Sequence, residues 1–323
     1  MANVQDLNAL FKEIYRDKVE NLVPEGIQLL RDVPFREHEK VGKNLQVAVR
    51  LTDEENFTFT NDSQSAVALK DTEAAKYLTA VIEPTTVVLR AQISYAQAAK
   101  ALSKKQAIEV GTEQVFKSLK LSMDRKLEDS FFNGSRDILD NDGNVTGSTM
   151  KGLDQLLTTT SGNLFGIATD DASGRWIPQT VAIGGRLTVA NVIDAAEKAV
   201  PKGLEGRVCL YINTAAYASL ARELTKNIHM RDYGNMYIPY SRGIIEVKPS
   251  LYVKLAKGYL VKPDNLSRVG TTAPTFSVPG LEDQGPFHRM QGYSGFTVTL
   301  YTEQALFISK PSQCVVLTGI TAS

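Results

Sequence analysis

The stretch LKLSMDRKLEDSFFNG, residues 119–134, decides how the rest of the chain is read. Leu119, Met123, Leu127 and Phe131 recur every fourth residue, so they share one stripe of an α-helix, and the stripe continues upstream through Val115 to Ile108. Lys104, Lys105, Glu113, Lys117, Lys120 and Arg125 lie off it. The spacing predicts one long helix from about Ala98 to Phe132, with Gly111 the place where it could be interrupted. Asn133-Gly134 is the expected stop, because either residue tolerates the left-handed backbone that closes a helix.

Upstream, Leu45, Val47, Val49 and Leu51 alternate with Gln46, Ala48 and Arg50, and Val87, Leu89, Ala91, Ile93 and Tyr95 alternate again. Both segments read as strands that can pair as one antiparallel ribbon. The connection from about Thr52 to Thr86 is far longer than an ordinary hairpin loop, and its centre, FTNDSQSAVALKDTEAAK, is small and polar. Such a segment offers too little apolar area to offset its own ordering entropy. Nearer the N-terminus, Leu7, Leu10, Phe11 and Ile14 form a short amphipathic stripe, and Pro24, Gly26 and Pro34 then break any continuation. An extended arm and a terminal helix packed on its own domain both fit that region.

Downstream, residues 135–185 are rich in Gly, Thr, Ser and Asp and read as loops with short strands. Thr188 can cap a helix through Val189, Val192, Ile193 and Ala196 to Val200, stopped by Pro201 and Gly203. RVCLYIN, residues 207–213, is a buried strand, Thr214 can cap a second helix, AAYASLARELTKN, and GIIEV and GYLVKP add further strands. This order predicts a compact α/β layer. From Phe296 to Ile320 the chain reads as strands, with Thr297 to Tyr301 alternating and Cys314 to Leu317 a buried run.

The chain has 323 residues, 43% of them hydrophobic, which is enough for a sizeable core. Lys plus Arg equals Asp plus Glu, 36 against 36, so no overall field draws it to phosphate backbones, and association of many copies is permitted. Cys209 and Cys314 lack metal or redox spacing, and no disulfide is expected. The N-terminus lacks a secretory apolar stretch and no run of about 18 apolar residues occurs, so synthesis and use in the cytosol without a membrane are expected.

Motifs that carry chemistry do not emerge. His38, His229 and His288 are scattered, and His38-Glu39 lacks the second histidine of a zinc-protease helix. Asp140, Asp142 and Gly143 match part of a calcium loop, but Ile138 and Thr149 stand where acidic ligands belong. No phosphate loop is present, and Phe296 occupies the last glycine position of an otherwise elbow-like Gly292, Ser294, Gly295. No catalytic residue, metal site or cofactor is expected.

In order, these segments resemble the tailed-bacteriophage major capsid protein. The stretches that carry the resemblance are VGKNLQVAVRLTDEENFTF, LKLSMDRKLEDSFFNG, RVCLYINTAAYASLARELTKN and GFTVTLYTEQALFISKPSQCVVLTGI. The resemblance implies an α+β chain of the Hong Kong 97-type capsid fold: an N-terminal arm (1–40), an extended β-ribbon E-loop (41–95), a peripheral domain with the spine helix (96–185 and 265–310) and an α/β axial domain (186–264 and 311–323). It implies a structural subunit, not an enzyme, that self-assembles in hexamers and pentamers into an icosahedral shell around double-stranded DNA. Scaffold, portal and decoration proteins would be its partners and the virion its location, after synthesis in the host cytoplasm.

The arm begins almost at Met1, so a separate scaffold or an earlier cleavage is implied. On the E-loop, Phe57, Phe59, Val67, Leu69, Lys70 and Tyr77 would meet a neighbour, with Lys70 the nearest candidate for the covalent cross-link of some relatives. Leu7, Leu10, Phe11 and Ile14 would be the arm contacts. An encapsulin-like compartment shell and an α/β enzyme with an inserted arm are the alternatives.

Overall fold

The computed structural model describes residues 27–41, 44–50, 77–94, 105–135, 137–139, 145–158, 162–169, 175–227, 236–276, 287–289 and 295–321. A single-turn helix α1 (Leu29–Asp32) leads to β1 (Phe35–Glu37), β2 (Lys40–Val41), β3 (Asn44–Arg50), β4 (Tyr77–Ile82) and β5 (Thr85–Ser94). The long helix α2 (Lys105–Asn133) follows, then the hairpin β6 (Asp137–Leu139) and β7 (Val145–Ser148), helix α3 (Leu153–Thr158), and the small hairpin β8 (Asn163–Leu164) and β9 (Ile167–Ala168). Next come β10 (Gln179–Gly185), α4 (Val189–Ala199), β11 (Gly206–Asn213), α5 (Thr214–Asn227), β12 (Met236–Tyr240), β13 (Gly243–Ser250) and β14 (Lys257–Val261). The chain closes through β15 (Leu266–Thr275), β16 (Phe287–Arg289), β17 (Gly295–Ile308) and β18 (Val315–Ile320).

Two sheets and the long helix organise the core. A six-stranded mixed sheet runs β10-β18-β14-β11-β13-β12. Its strands β18, β14 and β11 are largely apolar on both faces because both faces are covered, whereas β13 carries Glu246 and Lys248. Val208, Leu210 and Ile212 of β11 pack with α4 and α5, whereas Cys209 and Tyr211 of the same strand face α2, where the ring of Phe132 lies against Tyr211 and Tyr259. Leu260, Val315 and Leu317 follow the first face, Tyr259, Val261 and Val316 the second. The second sheet centres on β17, which pairs antiparallel with β15, β16 and β5. β17 is buried along almost its whole length, so the alternation expected at Thr297 to Tyr301 is only partial.

The stripe Leu119, Met123, Leu127 and Phe131 is buried as expected, and α2 runs through Gly111 without a break. Its stop works differently from the expectation. Gly134 is not left-handed; a Cβ there would lie 2.1 Å from the Met150 carbonyl oxygen and 2.4 Å from that of Ser130. The residue is glycine because the chain passes too close for any side chain. Thr188 caps α4 through its hydroxyl, which accepts from Asn191 N at 3.3 Å, and Gly203 ends the following turn with φ 91°. At α5 the acceptor is Asn213 Oδ1, bonded to Ala215 N at 3.0 Å, in place of the expected Thr214.

The ribbon is built from other strands than those expected. β3 pairs with β4, Leu45 opposite Ile82 and Arg50 opposite Tyr77, while β5 pairs with β17 over ten positions. Strand alternation says which face is buried but not which strand is the partner. Glu83-Pro84 ends β4, and the longer apolar strand β5 joins the core sheet beyond it. Residues 85–94 therefore belong to the core sheet and not to the ribbon. β10 likewise lies in the six-stranded sheet, parallel to β18, although the boundary expected at 186 leaves it outside.

Candidate assembly surfaces

Residues 27–38, which fall within the arm expected over residues 1–40, are docked on the rest of the chain. Ile27, Leu29, Leu30 and Val33 are buried. Glu128 of α2, only 1% exposed, accepts hydrogen bonds from the backbone N–H groups of Gln28 (3.1 Å), Leu29 (2.9 Å) and Leu30 (2.9 Å). Burial raises the Glu128 carboxyl above its ordinary value, and the three backbone bonds offset part of that. β1 then adds parallel to β15, and the Arg268 guanidinium donates to the Val33 carbonyl at 2.9 Å.

Asp32, at the end of α1, joins this root to the six-stranded sheet. Its carboxylate accepts from Lys248 Nζ at 2.7 Å and from Tyr211 Oη at 2.5 Å. Lys248 also lies 3.6 Å from Glu246, which is held by the exposed Arg207, so a chain of charges crosses β11 and β13. Such partly buried pairs set geometry more than they add stability. Glu128, Asp32 and Lys248 do not stand out in the sequence. The available signal is that Phe116, Lys120, Asp124, Glu128 and Phe132 make a second stripe beside the apolar one, with acids where a core face is expected.

The β3–β4 ribbon buries Leu45, Val49, Ala80 and Ile82 on one face and exposes the other. Its far end carries Tyr77, 63% exposed, with the Arg50 guanidinium 5.9 Å from its ring centre. Of the expected contact residues, Tyr77 is thus on the surface at the outer end of the stalk. Phe57, Phe59, Val67, Leu69, Lys70, Leu7, Leu10, Phe11 and Ile14 lie outside the described residues. Further exposed apolar side chains are Tyr237 and Ile244 on the β12–β13 hairpin, and Leu251 and Leu255 on the loop before β14.

Among the described residues, titratable groups come together in the Asp32–Lys248–Glu246–Arg207 chain, with Tyr211 on Asp32. No cluster of three or more metal-ligating side chains occurs among the described residues, and no helix is long and apolar enough to cross a membrane. Cys209 and Cys314 are buried, and burial pushes their thiols up to about 11 and about 12, away from the thiolate that a nucleophile needs. A cavity of about 590 Å³ is lined by Glu83 and Pro84 together with Lys151, Gln155, Phe165 and Leu306. Neither a histidine nor a cysteine lines it.

No family model and no curated protein matches the sequence. Solved structures do. A chain of the cyanophage A-1(L) capsid superposes with a TM-score of 0.60 at 13% identity, covering 93% of this chain and 94% of that one. A chain from Mycobacterium phage Adephagia gives 0.55 at 11% identity, over 98% of each. The encapsulin complex of Synechococcus elongatus gives 0.53 at 11% identity, over 94% of this chain and 90% of that one. The likeness spans nearly the full length of each, so the chain has the tailed-phage major capsid fold, which the encapsulin shares.

Proposed function

We propose that this chain is the structural subunit of an icosahedral phage head shell that encloses double-stranded DNA. The observation that carries the reading is the end-to-end fold match to phage capsid chains. On this reading the six-stranded sheet with α4 and α5 is the axial domain, clustering around five- and sixfold positions. The sheet centred on β17, with α2 as its spine, is the peripheral domain. The β3–β4 stalk carries residues 51–76 onto a neighbour, where Phe57, Phe59, Val67 and Leu69 meet an apolar surface of that subunit. A firmly docked root at 27–38 supports it, since an arm that crosses to a neighbour needs a fixed point of departure. Zero net charge suits a lining that touches DNA weakly, without sequence preference and in a salt-sensitive way.

A compartment shell of the encapsulin kind is the second reading, favoured by the match to the Synechococcus complex. Expression of the chain with its neighbouring genes, followed by sedimentation and nuclease digestion, separates the two. Heavy particles holding nuclease-resistant DNA support the head shell, and heavy particles holding a single cargo protein support the compartment. Only light species, with or without the neighbours, would refute both.

A further inference from the structure

The two edges of the six-stranded sheet are built differently. Its order places β10 at one edge and β12 at the other. An edge strand presents unpaired N–H and C=O groups, and proteins that must not extend their sheets block such edges with proline or charge. β12, MYIPY, carries Pro239 opposite Ile244 inside a continuous ladder. Proline has no N–H to give, so at 239 the outward-facing donor is missing and the β12 edge is blocked.

β10, QTVAIGG, has neither proline nor charge. Gln179 N donates to the Cys314 carbonyl at 3.0 Å, so the amide groups of Gln179 point toward β18. Successive residues of a strand alternate in that direction, so Thr180 and Ala182 turn their N–H and C=O groups outward. Among the described residues no strand pairs with that side. Thr180 and Ala182 are exposed, and their small side chains leave the approach clear. The bulge at Gly184, φ 66°, ends the usable edge.

We propose that the free edge of β10 at Thr180–Ala182 accepts an extended segment from a second copy of this chain, by strand addition. The asymmetry of the two edges favours a second copy as the occupant, and the inference rests on the shell reading. With both edges open, copies would join sheet to sheet without limit; with β12 blocked, one added segment completes the sheet and growth stops. An uncharged edge also suits a chain of zero net charge, which must approach itself without repulsion.

Backbone hydrogen exchange, read residue by residue in free subunits and in particles stripped of other proteins, tests this. The Thr180 and Ala182 amides should exchange freely in the subunit and slow roughly a hundredfold in the particle. Ala182→Lys should fold like the parent yet need roughly tenfold more protein to assemble. Ala182→Pro, which removes only an outward N–H, should do the same, so the two variants check each other. Closed particles in which these amides stay fast, or in which both variants assemble as the parent does, would overturn strand addition and leave the shell reading standing. Protection already present in the free subunit would show that the chain covers its own edge, and protection lost on stripping would show that another protein fills it; either overturns the proposal. If no particles form at all, the shell reading fails first and this inference with it.

Discussion

Replacing Glu128 with alanine should release residues 27–33 while leaving the two sheets folded. The four buried side chains of the root, Ile27, Leu29, Leu30 and Val33, contribute about 1.5–3 kcal/mol each, or about 6–12 in all. Ordering residues 27–33 costs about 1–2 kcal/mol apiece, or about 7–14 in all. These terms nearly cancel, so docking depends on polar contacts. The three hydrogen bonds into the Glu128 carboxylate are the ones this substitution removes, while those of Asp32 and Arg268 remain. Bonds to a charged group are worth about 1.5–3 kcal/mol each, reduced here by the cost of burying the charge that also raises the carboxyl. A net loss of about 3 kcal/mol makes exchange at the Leu29 and Leu30 amides about a hundredfold faster in Glu128→Ala. Hydrogen exchange with residue resolution is the assay, with protection at Leu210 and Val316 as the internal reference. Leu29 and Leu30 amides as slow as in the parent would refute the reasoning, as would loss of protection throughout the chain.

Burial lifts the Asp124 carboxyl to about 6, against the pull of Lys120 and Arg268. A folded value above the ordinary 3.8 means that the ionised form opposes folding at neutral pH, and that this penalty is relieved as pH falls from about 6 toward 4. Asp124→Asn should therefore raise stability by about 1–2 kcal/mol at pH 7.5 and hardly at all at pH 4, read from denaturant melts at both; equal effects at the two pH values contradict it. Gly134→Ala should cost about 3 kcal/mol or more, because its Cβ has no room beside the Met150 and Ser130 carbonyls, and an unchanged melting curve would show that α2 can end another way. Replacing residues 60–76 with a short Gly-Ser link should leave a soluble, cooperatively folding subunit that forms no stable closed shells; normal shells, or a subunit that no longer folds, would each sink the assembly role of that segment.

Much of this architecture is legible from periodicity. The stripe Leu119, Met123, Leu127 and Phe131 reads as core from its spacing alone, and RVCLYIN as a buried strand. Pairing is not legible, because Val87, Leu89, Ala91 and Ile93 alternate identically whether their partner is β3 or β17. β4 is hidden inside a segment that reads as connection: YLTAVI is short, and its signal is diluted by the polar residues before it. The candidate surfaces are less legible still. Glu128 and Asp32 act through backbone groups and charges that are 99 and 216 residues away, and no local pattern marks such partners. The difference between the β10 and β12 edges needs the strand order before Pro239 acquires a meaning.

The most direct test of the central claim is an icosahedral reconstruction by electron cryomicroscopy of particles formed by the expressed chain and its neighbouring genes. The account predicts closed shells of five- and sixfold clusters, with the β10-to-β12 sheet nearest the axes and residues 51–76 lying over an adjoining subunit. Monomers or small oligomers under every condition, or closed particles with that sheet turned away from the axes, would contradict it.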